Sequence, residues 1–144
     1  MLVAHIPFGF PEKARELSAD PEVEIQILSY GYGRAKKGFM AMATAPAARM
    51  ALDRAGITAD QVKTVKTHNP FAGNDIFLAR ELGLDVNTMN NYGSTIVYGH
   101  PQAPTGARNI VEGIEETVKR GGGYLLWAGC AAGDTGVAMV IKIR

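Results

Sequence analysis

From Val23 to the end, the chain keeps changing its hydrophobic period, and this constrains its fold more than any other feature. Val23-Glu24-Ile25-Gln26-Ile27 alternates apolar and polar residues, as a half-buried strand does. Ser29-Tyr30-Gly31-Tyr32-Gly33 then reads as a breaker. Ala47, Met50, Ala51 and Arg54 fall at helical spacing, with Pro46 in the first turn and Gly56 just past the end. Thr58 to Gln61 has the form of a capping box opening at most one turn. Val62 to Thr67 reads as a strand, and Asn74 as the N-cap of a helix stopped by Gly83. Ser94 to Tyr98 is rich in β-formers and predicts a further strand. Ile110, Ile114 and Val118 stripe a helix from about Thr105 to Arg120, terminated by Gly121-Gly122-Gly123. Tyr124–Gly129 and Val137–Ile143 are apolar strands that can form an antiparallel hairpin. The order β-α-β-α-β-α-β-β predicts an α/β fold: a mixed five-stranded sheet covered by helices.

Composition removes several classes of function. With 144 residues and 47% hydrophobic content, the chain can bury one domain's core and is not disordered. Lys+Arg 15 against Asp+Glu 14 leaves a net charge of +1, so there is no footprint for binding nucleic acid through its phosphates. No apolar run has membrane-spanning length, and Met1 to Ile6 is too short and uncharged for a signal peptide. A lone cysteine cannot form an intramolecular disulfide, so the expected compartment is reducing and cytoplasmic.

Three clusters follow predicted strands, where open α/β sheets place ligands. They are His68-Asn69-Pro70-Phe71, Gly99-His100-Pro101 and Cys130-Ala131-Ala132-Gly133-Asp134-Thr135-Gly136. Each has an ordinary structural reading: a buried small thiol in a tight hairpin, and histidines capping turns. Arg34-Ala35-Lys36-Lys37-Gly38 reads as a solvated loop, and Met40 and Met42 as packing. Together, a thiol, two imidazoles and a loop of tiny residues suit carbon–carbon bond chemistry on thioesters. A tuned thiol can move a proton at an α-carbon, while imidazole and backbone N–H groups hold an enolate or thioester oxygen.

The motifs, taken in order, resemble the C-terminal half of a thiolase. Pro46 to Gly56 resembles that family's P-x-x-A-x-x-x-A-L-x-x-A-G helix. Gly99-His100-Pro101 with Thr105-Gly106-Ala107-Arg108 resembles G-H-P-x-G-x-S/T-G-A-R, and Cys130 to Gly136 resembles C-x-G-G-G-x-G. Ketoacyl synthases share the layout but lack this cysteine. The resemblance implies a thiolase-like half-fold, with residues 1–22 as the trailing strand and linker of an absent N-terminal half and 23–144 as the C-terminal domain. Glu12 to Leu17 resembles the linking segment. It also implies that Cys130 takes or returns the α-proton, and that His100 activates the nucleophile and shares an oxyanion hole. His68 takes the place of the family's water-holding Asn.

Asn69, Gly99, Ala132 and Gly133 are the expected oxyanion or substrate-binding positions. Asn69 and Pro70 replace the Glu and Ala of N-E-A-F, Ala132 replaces a glycine, and Asp134 brings a carboxylate toward the thiol. Ala103 and Pro104 also depart from the family pattern, and Asn90 to Ser94 is a loosened N-x-N-G-G. The expected function is acyl-CoA C-acyltransferase chemistry, in the direction of Claisen condensation or of thiolysis of a 3-ketoacyl-CoA. The coenzyme A thioester is substrate; neither a resident cofactor nor a metal is expected. Thiolases carry their nucleophilic cysteine in the N-terminal half, so this chain is expected to be inactive alone and to join such a half in an oligomer. The alternative is a non-catalytic module for assembly or acyl-CoA binding, and a lesser one is a structural α/β domain sharing only the fold.

Overall fold

The computed structural model describes residues 9–144. The expected trailing strand, residues 1 to about 9, falls almost wholly outside them. The elements are α1 (Pro11–Leu17), β1 (Ile25–Arg34), α2 (Thr44–Ala55), β2 (Val62–His68), α3 (Ala72–Leu82), α4 (Thr95–Tyr98), α5 (Ala103–Lys119), β3 (Gly123–Ala131) and β4 (Thr135–Ile143). Short 3-10 turns precede α2, β2 and the loop leading to α4. α1, in the expected linker, buries no residue.

Among the described residues the sheet has four strands in the order β1-β4-β3-β2. β2 and β3 are parallel, while β4 is antiparallel to both β3 and β1. α2 and α3 cover one face, around Leu78, Leu126, Ala128 and Val140. α5 covers β2 and β3 on the other, placing Ile110 and Ile114 against Leu125 and Ile141. The mixed sheet and hairpin agree with the sequence, but the expected fifth strand does not form. Ser94 to Tyr98 makes one helical turn instead, entered by an extended Ser94 and left at Gly99 with φ 81°. Its β-formers are mostly on the surface: Ile96, Val97 and Tyr98 are 54%, 66% and 56% exposed, and only Thr95 turns inward. β-propensity reports fit to a half-buried pleated surface, and no such surface meets this segment.

The second correction concerns β1, which runs through the supposed breaker to Arg34. Gly31 and Gly33 give clearance to a helix. A Cβ on Gly31 would stand 2.1 Å from the Ala47 carbonyl oxygen, and one on Gly33 2.7 Å from that of Ala43. Gly136 on β4 faces the same constraint, 2.3 Å from Ala43 O. α2 meets them with Ala45, Ala47, Ala48 and Ala51, all buried. Backbone packs on backbone here, so the alanine-rich helix lies unusually close to the sheet. Alternation turns Tyr30 and Tyr32 to the opposite face, where they remain 64% and 61% exposed, with Val137 on β4 41% exposed.

The α5 face carries an ionic contact. Lys66 of β2 is fully buried; its Nζ donates to Gly93 O at 2.7 Å and lies 3.2 Å from Glu112 of α5. Glu112 also meets Arg108 at 3.4 Å. Gly113 permits this approach, since a Cβ there would meet Lys66 Cγ and Leu125 Cδ1 at 2.8 Å. The Thr58–Gln61 capping box forms as its sequence predicts.

Gly31→Ala should therefore destabilise the chain by about 2 kcal/mol or more, because the added methyl meets helix backbone. Gly73→Ala, with nothing within 4 Å of its Cβ position in α3, should be neutral or gain up to about 1 kcal/mol. Urea unfolding of the two variants checks the contrast.

Candidate active site

Parallel pairing determines where the chemistry sits. β2 and β3 end on the same side, His68 pairs with Gly129, and Cys130 follows. On its other side Cys130 pairs with Gly136 of β4. The chain passes through α3, α4 and α5 between these strands and places His100 on the loop between α4 and α5. Two positive-φ residues, Gly99 at 81° and Gln102 at 62°, flank His100-Pro101 and turn the ring back over the strand ends. Its centroid lies 4.4 Å from that of His68, with the rings tilted by 45°. His68, His100, Cys130 and Ala132 line one cleft of about 560 Å³, together with Met40, Phe71 and Trp127.

Each imidazole is held through Nδ1 by a threonine hydroxyl. His68 meets Thr95 Oγ1 at 3.1 Å, and His100 meets Thr105 Oγ1 at 3.0 Å. Nε2 is thereby the ring nitrogen left for a ligand. Burial, reinforced by His100, pushes the His68 pKa from 6.5 down to about 4, so this ring is neutral at pH 7. Cys130 is 8% exposed. Burial pushes its thiol up; hydrogen bonds from Asn74 Nδ2, at 3.3 Å, and from its own backbone N–H act the other way. The cleft thus offers a thiol proton beside neutral imidazole nitrogen and small backbone.

Asn69, Gly99 and Gly133 do not line this cleft. Asn69 is 2% exposed and turns inward, donating Nδ2 to Asp75. Thr67 and Asn90 join the same buried network. Gly99 ends α4 and Gly133, with φ 84°, makes the hairpin turn. The Asp134 carboxylate accepts the Gly38 N–H at 3.1 Å. Asn74 is not the N-cap of α3, which begins at Ala72 after Phe71.

Met40, read as packing, lines the cleft, whereas Met42 lines a separate cavity of about 350 Å³ with Arg34, Lys36 and Phe39. Sequence reasoning missed Thr95, Thr105 and the contact of Asn74 with sulfur. The only local signal was a polar residue recurring in the first turn of each helix. Among the described residues no group of three potential metal ligands occurs, and no helix is long and apolar enough to cross a membrane.

The family profile described as "Thiolase, C-terminal domain" matches residues 22–143. A 3-ketoacyl-CoA thiolase of Vibrio cholerae is 35% identical over 92% of this chain and 34% of its own length. An acetyl-CoA acetyltransferase of Syntrophomonas wolfei is 34% identical over 91% of the chain and 33% of its own. The crystal structure of Bacillus anthracis acetyl-CoA acetyltransferase superposes with a TM-score of 0.84 at 30% identity, over 93% of this chain and 34% of that one. Human mitochondrial 3-ketoacyl-CoA thiolase gives 0.82 at 26%, over 92% and 33%. The chain spans about a third of the length of these relatives. By the length of the match and by the fold, it belongs to the thiolase family and carries that family's C-terminal domain.

Proposed function

We propose that this chain supplies the proton-transfer half of an acyl-CoA C-acyltransferase, with coenzyme A thioesters as substrates. The observation that carries this reading is the convergence of Cys130, His68 and His100 in one cleft. In thiolysis, an external thiolate attacks the C3 carbonyl of a 3-ketoacyl-CoA. The C2–C3 bond breaks, its electron pair passes to C2 as an acetyl-CoA enolate, and Cys130 S–H returns the proton. In condensation Cys130 takes that proton instead. Imidazole Nε2–H groups and the backbone N–H of Ala132 stabilise the developing oxyanion, where preorganised donors contribute most. A thiol kept protonated by burial suits the donor direction.

The nucleophile comes from a second, cysteine-bearing half. A cleft with one cysteine and relatives about three times this chain's length support that need. The exposed Tyr30, Tyr32 and Val137, on the sheet face where α5 covers the other two strands, offer an apolar surface for docking. A single cysteine, which cannot form an intramolecular disulfide, fits a reducing, cytoplasmic setting.

The chain alone should show only background thiolysis. Co-assembled with a nucleophile-bearing thiolase half, it should cleave 3-ketoacyl-CoA, and Cys130→Ala in that complex should lower kcat by about 100-fold or more. A properly assembled complex that stays at background across acyl chain lengths would defeat the catalytic reading in favour of a non-catalytic assembly module.

His68 also makes stability depend on pH. Between pH 6.5 and about 4 the unfolded chain takes up the His68 proton while the folded chain does not. Stability present above pH 6.5 is therefore lost as pH falls through that window. Melting temperatures measured from pH 7 to 4.5 should fall, and His68→Gln should flatten the slope.

A further inference from the structure

The side chain against the cleft's sulfur comes from a helix, not from a strand end. Asn74, in the first turn of α3, is 2% exposed, and its Nδ2 donates to Cys130 Sγ at 3.3 Å. Its Oδ1 is buried without a partner, so among the described residues the sulfur is the amide's only side-chain hydrogen-bond partner. Burying an amide with half its capacity unused is costly, and an apolar residue of similar shape would fill the space at less cost. The next residue is used differently: Asp75 accepts from Thr67, Asn69 and Asn90 and ties α3 to the end of β2.

We propose that Asn74 is a positioning residue for Cys130, aiming the sulfur into the cleft and stabilising its anionic form through the Nδ2–H···Sγ hydrogen bond. The inference rests on reading Cys130 as the group that moves the substrate's α-proton. Hydrogen bonds to an ion are stronger than those to its neutral form, so a donor fixed on sulfur favours the thiolate over the thiol. Among the described residues no lysine or arginine lines the cleft, which leaves hydrogen bonds to offset the burial of Cys130. The other titratable groups nearby are accounted for. His68 from β2 is neutral at pH 7. His100, from the loop before α5, is bound to Thr105. The carboxylates of Asp134, on the hairpin, and Asp75, on α3, are each taken up by hydrogen bonds.

The test is the pH dependence of Cys130 alkylation by iodoacetamide on the full chain, with the fold of each variant checked by thermal melting. Asn74→Leu, which keeps the branched skeleton and removes the donor, should move the alkylation midpoint up by about one pH unit. Below the midpoint the rate should be roughly tenfold slower. Asn74→Ala, which removes the donor without adding a charge, should move it in the same direction, and it decides the matter if Asn74→Leu does not fold. A role in packing alone predicts an unmoved midpoint, and that result in a folded variant overturns the proposal. Alkylation needs no acyl-CoA and no partner, so failure of the acyltransferase reading would show separately, as an assembled complex without thiolysis.

Discussion

The parallel pairing of β2 with β3 is the constraint from which the site follows. A parallel pair needs a crossover, and both strands then end on the same side. His68 closes β2 and Cys130 is the penultimate residue of β3, one register step past the partner of His68. The crossover delivers His100 to the same place because its loop is bracketed by two positive-φ residues. Convergence of three residues distant in sequence is thus a property of topology. The fine alignment of the two imidazoles belongs to threonine hydroxyls at the starts of α4 and α5.

The opposite face makes this arrangement compact. α2 approaches β1 and β4 at backbone distance because glycine on the strands meets alanine on the helix. That contact gives up large side chains for a close approach of backbones beside the hairpin that carries Cys130. The same glycines made β1 hard to see. Read locally, Gly31 and Gly33 are breakers; in the fold they are spacers for a helix whose arrival no local pattern announces.

What was legible in the sequence was whatever local chemistry encodes. Pro46 and Gly56 bound α2 near its true ends, Thr58 to Gln61 forms its capping box, and the terminal hairpin follows from two apolar runs around a turn. His68, His100, Cys130 and Ala132 stood out beside turn residues at strand exits, and the cleft gathers all four. Asn69 lies off the cleft because the direction of a side chain at a strand end is set by what lies beneath, here the Asp75 carboxylate. Ser94 to Tyr98 failed because β-propensity needs a sheet to fit, and none was available. Asn74 was visible only as a helix-start residue, since its meeting with sulfur depends on how α3 docks.

Lys66 lies two residues before His68, wholly enclosed, with its charge shared between Glu112 and the Gly93 carbonyl. An enclosed cation must keep its counter-ion, because losing one partner leaves the other stranded away from water. The strand bearing one imidazole is therefore moored electrically to α5, which bears Thr105, and to the segment leading to Thr95. Hydroxyl and ring hang from one frame: the Lys66 ammonium, on the strand that carries His68, grips the Gly93 carbonyl two residues before the threonine that holds the ring.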